Sequence, residues 1–169
     1  GKDNCFAAAV ISKKGEAPRA RAPRHLVLHH PMDRGNAGTI LRSALGFGFE
    51  DIAVITPAVD LFDPRVIRAS MGALLSLRLG FFDSMDSYLA QYPGRQLFLF
   101  MLEGSSPLTG ALAQKDHAPL SLVFGNEGSG LPPEFAALGT PVRIEQGEAI
   151  DSLNLAVAAG IGMYAFREV

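Results

Sequence analysis

From His25 to the end of the sequence, short and almost wholly apolar segments alternate with segments of helical pattern. Six segments have the pattern of strands, at residues 26–30, 51–55, 77–82, 95–102, 120–124 and 141–144. Strands without a polar face are buried on both sides, which is typical of a parallel sheet covered by helices on both faces. The sequence therefore predicts an α/β fold with a mostly parallel, six-stranded sheet flanked by helices.

The first 24 residues differ in charge from the rest of the chain. They hold six Lys or Arg residues and two acidic residues, whereas the 169-residue chain as a whole has a formal net charge of −2. The segment GEAPRARAPR at 15–24 contains glycine and prolines, which interrupt helices and strands. We expect residues 1–24 to be a flexible basic arm or the remnant of an N-terminal extension, and residues 25–169 to form one domain. A basic arm suits a polyanionic partner, and it equally suits a solvated linker.

Composition excludes several classes of protein. The apolar runs are far shorter than a membrane span, and no targeting segment is recognisable, so we expect a cytoplasmic protein without a membrane partner. A single cysteine, Cys5, excludes an internal disulfide and a cysteine-based zinc site. His29 and His30 are adjacent in a strand and point to opposite faces, so we expect no metal there.

Ligands of parallel sheets bind beyond the carboxyl ends of the strands, so the loops that follow the strands are the expected location of a site. After the first strand, the sequence predicts a helix over 36–48 with Asn36 as N-cap. Arg42 falls outside the apolar stripe of that helix, and its neighbours one turn away are Gly38 and Gly46. The guanidinium is therefore free to meet a ligand, or it is a surface arginine in a salt bridge.

The loop GNEGSG follows the apolar strand at 120–124. Its three glycines allow a backbone to fold tightly around a ligand. The carboxylate of Glu127 would repel a phosphate, so the loop better suits a neutral or cationic ligand such as a nucleoside. Glu127 is also a candidate to hold Arg42. Alternatively, the loop binds no ligand and is a tight turn with a surface glutamate.

The last helix is rich in small residues. The sequence predicts that Asp151 or Ser152 caps it and that Asn154 lies in its first turn. Gly160 and Gly162 each cost up to ~1 kcal/mol relative to alanine inside a helix. Such glycines are tolerated where another helix of the chain or a symmetric partner passes close by.

Taken together, these three loops resemble the SpoU/TrmH branch of the SPOUT RNA methyltransferases, the trefoil-knot enzymes. The first family motif corresponds to Asn36, Gly38 and Arg42, and ASMGALL at 69–75 also looks like a family stretch. The second and third motifs lie in order after it. They correspond to Gly125, Asn126, Glu127, Gly128 and Gly130, and then to Ile144, Gly147, Ser152, Leu153 and Asn154. Glu145 and Gln146 depart from the usual third motif, and the order and spacing otherwise agree along residues 25–166.

The resemblance implies a fold, a reaction and partners. It implies a deep trefoil knot in the C-terminal part, bound S-adenosylmethionine with S-adenosylhomocysteine as product, and methylation of a ribose 2′-hydroxyl of tRNA or rRNA. It also implies a homodimer through the knot region, including the C-terminal helix, with no DNA and no metal.

The resemblance also implies roles for individual residues. Arg42 would remove the ribose proton or stabilise the alkoxide, and Asn36 would orient it. Glu127 would hold Arg42 or the ribose, Ser152 would contact phosphate, and Asn154 would contact the substrate or the motif loops. The adenosine pocket would be lined by Leu102, Glu103, Gly104, Phe124, Gly125, Asn126, Gly128, Ile144, Glu145, Gln146 and Leu153.

Three other functions remain open from the sequence. A non-catalytic knotted RNA-binding homologue would keep the fold without binding the methyl donor. A base-directed SPOUT methyltransferase would differ only in its product. An unrelated nucleotide-binding α/β enzyme is disfavoured because the chain has neither a Walker lysine motif nor G-x-S-x-G.

Overall fold

The computed structural model describes residues 16–102, 106–147 and 149–167. Within these ranges the strands are β1 (Arg24–His29), β2 (Asp51–Ile55), β3 (Arg78–Phe82), β4 (Gln96–Phe100), β5 (Ser106–Pro107), β6 (Leu120–Phe124) and β7 (Thr140–Arg143). The α-helices are α1 (Arg34–Gly46), α2 (Pro64–Ala69), α3 (Met85–Gln91), α4 (Leu108–Ala113) and α5 (Leu155–Phe166). Two 3-10 turns span Ala73–Ser76 and Pro133–Leu138. No helix in the described ranges is both long enough and apolar enough to cross a membrane.

The strands form one sheet in the order β3-β2-β1-β6-β4-β7-β5, and all pairings are parallel. The predicted parallel α/β class is confirmed, but the predicted number of strands is wrong because the sheet has seven. The seventh strand, β5, has only two residues, which pair with Val142 and Arg143. So short a strand leaves no hydrophobic pattern in the sequence.

Apolar residues cover both faces of the sheet, as the strand pattern predicts. One face packs against α1, α2, α4 and α5, with fully buried residues such as Ile40, Leu41 and Phe166. The other face packs against α3 and the turn at Pro133–Leu138, with Tyr88 at its centre. Because both faces of the sheet are covered, the side chains of the sheet that can reach a ligand lie at the ends of the strands.

Two of the predicted helix starts are wrong. Asp33, not Asn36, caps α1, and its carboxylate accepts the N–H of Asn36 at 2.7 Å. Asn154, not Asp151 or Ser152, caps α5. At the start of α2 the local pattern is unambiguous, because Asp63 caps the helix and Pro64 follows at its first position. Several capping residues stand close together at the two wrong starts, so local sequence does not select among them.

The described part of the predicted basic arm packs on the sheet instead of extending from it as a flexible segment. The backbone N–H of Arg19 donates to Asp51 Oδ1 at 2.7 Å, and Arg19 Nη2 lies 2.7 Å from Asp51 Oδ2. Tyr92 donates its hydroxyl to the carbonyl of Pro18 at 2.7 Å. Burial would raise the pKa of Asp51, but the hydrogen bonds and charge of Arg19 hold it below its ordinary value. Residues 1–15 of the arm lie outside the described residues.

A buried chain of hydrogen bonds lies beneath this segment. Arg95 Nε donates to Ser121 Oγ at 2.8 Å, and Ser121 lies 2.7 Å from the Tyr88 hydroxyl. His25 Nδ1 is 2.9 Å from that hydroxyl, and His25 Nε2 is 2.9 Å from the carbonyl oxygen of Arg19. A carbonyl only accepts, so Nε2 carries a proton. When His25 is neutral, Nδ1 accepts from the Tyr88 hydroxyl, and every donor of the network has an acceptor.

This network predicts that stability falls at mildly acidic pH. Burial, followed by the charge of Arg95, lowers the pKa of His25 from 6.5 to about 4. Between these values the unfolded chain binds a proton that the folded chain excludes, so the free energy of unfolding decreases as pH falls. The expected loss is roughly 3 kcal/mol at the lower end of the interval. Urea unfolding over this pH interval measures it.

The exposed His117 provides the control, because His117→Gln is expected to leave the pH dependence unchanged. His25→Gln is expected to reduce the loss on acidification, on a lower starting stability. A free energy of unfolding that is equal at both ends of the interval would contradict the assignment of a neutral His25.

Candidate active site

The loop after β6 folds back on itself. Asn126 and Gly130 exchange two backbone hydrogen bonds of 3.1 and 3.0 Å, and Asn126 Oδ1 accepts the N–H of Gly128 at 2.9 Å. Gly125 faces the returning backbone so closely that a Cβ there would lie 2.1 Å from the carbonyl carbon of Gly130. The absence of a side chain at 125 is therefore what allows this loop to close.

This loop borders a cavity of about 440 Å³ at the carboxyl ends of β4, β6 and β7. That size is typical of sites for small organic ligands. The described lining contains one carboxylate, Glu127, and no lysine, arginine or histidine. Such a lining disfavours phosphate-bearing ligands and suits a neutral or cationic molecule with a large apolar part.

The cavity contains most of the residues predicted to line an adenosine pocket. These are Leu102, Phe124, Gly125, Asn126, Gly128, Ile144, Gln146 and Leu153, and Ser152 also lines it. Glu145 is not part of the lining, although it lies between two residues that are. Glu103 and Gly104 lie outside the described residues. The lining also includes residues that no sequence motif marks as site residues, namely Phe100 and Met101 at the end of β4 and Leu131, Pro133 and Ala136 after the glycine loop.

Glu127 connects the glycine loop to the loop between β1 and α1. Its Oε2 accepts the N–H of Met32 at 3.1 Å, and its Oε1 accepts the N–H of Asp33 at 3.0 Å. Asn126 adds a third link, because its Nδ2 donates to the carbonyl of His30 at 2.8 Å. Within the described residues Glu127 does not contact Arg42, so that suggested pairing is absent from the chain. The carboxylate instead fixes the start of α1 relative to the cavity.

Asn36 and Asn154 lie together where α1 and α5 begin. Asn154 Nδ2 donates to Asn36 Oδ1 at 2.9 Å, while Asn154 Oδ1 accepts the N–H groups of Ala156 and Val157. The residues are 118 positions apart, so only the fold brings them into contact. The amide of Asn154 therefore serves both as helix cap and as a link between two predicted site residues.

The comparisons with known proteins agree with this geometry. Residues 23–164 match the model of the SpoU rRNA Methylase family. This chain belongs to the SpoU rRNA methylase family.

Among SpoU relatives, a Synechocystis protein named an uncharacterized tRNA/rRNA methyltransferase is 33% identical over 168 residues, covering 98% of this chain. The chain spans only 60% of that relative's length. A structure of an AdoMet-bound rRNA methyltransferase from Sinorhizobium meliloti has a TM-score of 0.77 and 31% identity, covering 88% of this chain and 57% of the other. A structure described as giving insights into 2-OH methylation of C/U34 on tRNA has a TM-score of 0.76 and 33% identity, covering 85% of this chain and 94% of the other.

Arg42 stands apart from the other SpoU motif residues in this chain. It is exposed, and it makes no hydrogen bond or ion pair with any residue that the structure describes. The described cavity lining includes no residue of α1. Arg42 is six residues beyond Asn36, or about 9 Å along the helix axis. The salt-bridge alternative for Arg42 is thus not observed within the described chain.

The helix glycines near the SpoU motifs have different surroundings. Gly38 is buried, and a Cβ there would lie 2.5 Å from the Cβ of Ala69, so it permits α2 to cross α1 closely. Gly46 has nothing within 4 Å of a Cβ position. In α5, a Cβ at Gly162 would lie 2.6 Å from the ring of Phe100, whereas one at Gly160 would meet nothing within 4 Å. Close packing inside the chain therefore accounts for Gly38 and Gly162, but not for Gly46 and Gly160.

Proposed function

We propose that the protein transfers a methyl group from S-adenosylmethionine to a ribose 2′-hydroxyl of tRNA or rRNA. The observation that carries this proposal is the cavity at the carboxyl ends of β4, β6 and β7, whose described lining has no cationic side chain and whose Glu127 fixes the start of α1. Family membership and the AdoMet-bound neighbour support the same reaction.

The residues of the cavity fit the methyl donor. S-adenosylmethionine supplies an electrophilic methyl group on a sulfonium cation. A lining without cations avoids charge repulsion with that sulfonium, and Leu102, Ile144 and Leu153 offer apolar surface for an adenine ring. The backbone of the glycine loop offers hydrogen-bonding groups for a ribose. Departure from the family pattern at Glu145 leaves this surface intact, since Glu145 is not in the lining.

Arg42 is the proposed catalytic residue. A ribose hydroxyl is a weak nucleophile and must lose its proton as it attacks. A guanidinium is effectively always protonated, so we assign Arg42 to stabilising the developing alkoxide by charge and hydrogen bonding. Ser152 is exposed and lines the cavity, and we assign it to contact the substrate phosphate. In this proposal Asn36 does not hold Arg42 directly. It accepts a hydrogen bond from the Asn154 amide and so fixes the start of α1 relative to the start of α5.

The position of Arg42 favours a homodimeric active site. Because α1 contributes nothing to the described lining of its own cavity, we propose that Arg42 acts at the cavity of a second copy. The outer side of α5 supplies a surface for dimerisation, since Val157 and Tyr164 are 50% and 55% exposed and the bare Gly160 lies between them. We also propose that the C-terminal part containing β7 and α5 is threaded as a trefoil knot, as the motif resemblance implies.

Product analysis tests the reaction. The purified chain is incubated with methyl-labelled S-adenosylmethionine and unfractionated bacterial RNA, the RNA is digested, and the nucleosides are separated. Label in 2′-O-methylated nucleosides is the expected result. Label in a methylated base would identify a base-directed enzyme, and donor binding without label in any RNA would favour a non-catalytic RNA-binding protein.

Glu127→Gln is expected to weaken the hydrogen bonds that connect the cavity to the start of α1. Both carboxylate oxygens of Glu127 accept backbone N–H groups, whereas glutamine would turn an NH₂ group towards one of these donors. We expect methyl transfer to fall by about 10- to 100-fold, with S-adenosylhomocysteine affinity changed only a few-fold. Glu134→Gln, which alters an exposed carboxylate on the adjacent 3-10 turn, is the control. Equal activity of both variants would contradict the role of Glu127 as a link.

A further inference from the structure

The outer surface of α1 and α2 is positively charged on a chain that is acidic overall. Residues 34–49 and 64–77 contain four arginines and no aspartate or glutamate, whereas the chain has a formal net charge of −2. Arg34 is paired with Asp63 at 2.8 Å. The side chains of Arg42, Arg65 and Arg68 are exposed and form no hydrogen bond or ion pair among the described residues. Arg42 and Arg68 therefore face solvent without an ionic partner among the described residues, whereas the charge of Arg65 also acts on the nearby carboxylate of Asp63.

In the turn that follows α2, two apolar side chains near these cations are exposed to solvent. Met71 is 71% exposed and Leu75 is 62% exposed. Between them, Ala73 and Leu74 are buried and anchor the turn. Met71 has a left-handed φ of 51°, a conformation that costs a non-glycine residue roughly 1–2 kcal/mol. The fold thus presents Met71 to solvent in an unfavourable backbone conformation.

Arg42 borders this turn. A Cβ at Gly38 would lie 3.1 Å from the backbone nitrogen of Ser70, and Arg42 is one turn further along the same side of α1. Helix α1 also packs against the 3-10 turn at Ala73–Ser76. We call the combined area the α1–α2 surface; it consists of Arg42, Arg65, Arg68, Met71 and Leu75.

We propose that the α1–α2 surface binds an unpaired stretch of the RNA substrate, with Arg65 and Arg68 on phosphates and Met71 and Leu75 against the face of an unstacked base. This inference rests on the proposed function. It assigns the α1–α2 surface to the RNA strand that leads to Arg42. A double helix hides its base faces, so exposed apolar side chains between cations match a single strand better than a duplex.

Arg42, at the edge of this surface, reaches the cavity of a second copy in the proposed function, but charge argues against a second copy as the occupant of the rest of the surface, which consists of Arg65, Arg68, Met71 and Leu75. In a two-fold symmetric interface the same patch meets itself, so the unneutralised arginines of both copies would lie close together. Like charges at such an interface oppose association. A polyanion removes this cost and releases its own counterions on binding.

Fluorescence anisotropy tests the assignment with the full chain. The probe is a fluorescein-labelled RNA oligonucleotide of mixed sequence, used as a single strand and annealed to its complement, over a series of KCl concentrations. The variants are Arg65→Gln with Arg68→Gln, Met71→Ser with Leu75→Ser, and Arg68→Gln alone. Lys115→Gln is the matched control for Arg68→Gln, because Lys115 is an exposed cation in the segment before the amino end of β6.

We expect the native chain to bind the single strand more tightly than the duplex. The double arginine variant should bind about tenfold more weakly and show a slope of log affinity against log salt that is smaller in magnitude by about 1.4, because about 0.7 is lost for each of two phosphate contacts to a single strand. The Met71 and Leu75 variant should bind the single strand about fivefold more weakly with an unchanged salt slope, because it removes contacts to a base and not to phosphate. Lys115→Gln should change affinity by less than about twofold.

The outcomes that overturn the inference are distinct. Native RNA binding that the double arginine variant leaves intact, or an equal effect of Arg68→Gln and Lys115→Gln, refutes the α1–α2 surface alone. Conversion of a dimer to a monomer by the Met71 and Leu75 substitutions, seen by light scattering, assigns the surface to a second copy and also refutes it. Absence of any RNA binding by the native chain refutes both this inference and the proposed function.

Discussion

Arg42→Ala is expected to abolish methyl transfer while leaving the methyl-donor site intact. The side chain is exposed, makes no hydrogen bond or ion pair with a described residue and lies outside the described lining of the cavity, so its loss should not change the fold or the affinity for S-adenosylhomocysteine. Removing a cation that stabilises a developing oxyanion typically costs about 10²- to 10³-fold in rate. We expect a loss of about 10³-fold in kcat, measured with saturating donor and RNA.

Two further variants separate a catalytic role for Arg42 from RNA binding. Arg42→Lys keeps the charge but not the planar fork of donors, and it should recover about tenfold of the lost rate. The double Arg65 and Arg68 variant should raise KM for RNA and leave kcat largely unchanged. If Arg42→Ala raises only KM, then Arg42 is a binding residue and the catalytic assignment is wrong.

Gly125→Ala is expected to destroy the cavity. A Cβ at this position would lie 2.1 Å from Gly130 C, 2.4 Å from Gly130 O and 2.4 Å from the nitrogen of Leu131. These are backbone atoms and can move only if the paired turn between Asn126 and Gly130 opens. We expect at least a roughly 100-fold loss of S-adenosylhomocysteine affinity by calorimetry and a stability loss of about 3 kcal/mol by urea unfolding.

Gly110→Ala is the matched control for this substitution. Gly110 lies within α4, and a Cβ there would meet nothing within 4 Å. Alanine should therefore leave donor affinity unchanged and stabilise the helix by up to ~1 kcal/mol. Retention of donor binding by Gly125→Ala would mean that the glycine loop does not form the site.

The strands and the glycine loop were predictable because their signals are local. Each long strand is an apolar run with its own boundaries, and the density of glycine at 125–130 marks a tight loop regardless of the remaining sequence. The two-residue strand β5 has no comparable signal. It exists because β7 provides a partner for Ser106 and Pro107, which is a property of the assembled sheet.

The hydrogen bonds that connect the parts of the site were not predictable, because they join residues that are distant in the sequence. Glu127 is an obvious candidate to hold an arginine, yet its oxygens accept backbone N–H groups 94 and 95 positions away. Backbone donors carry no side-chain signature, so sequence does not reveal them as partners. Likewise, Asn154, not Asp151 or Ser152, accepts the first N–H groups of α5, and its amide also contacts Asn36, 118 positions away.

The arm before β1 illustrates how tertiary contacts override local composition. Prolines and charges at 15–24 predict a flexible segment, and no residue there has the pattern of a helix or strand. Its described part is nevertheless docked, because the sheet offers Asp51 to Arg19 and a buried histidine to the carbonyl of Arg19. The acceptor, Asp51, and the donor, His25, both lie on the sheet beneath this segment. No pattern within residues 15–24 predicts these contacts.

The most direct test of the central claim is calorimetric titration of S-adenosylhomocysteine into the purified chain, with light scattering on the same sample. The account predicts one bound ligand per chain on a dimer, with binding lost in Gly125→Ala and kept in Arg42→Ala. A monomer that binds no S-adenosylhomocysteine would contradict both the assignment of the cavity and the shared active site.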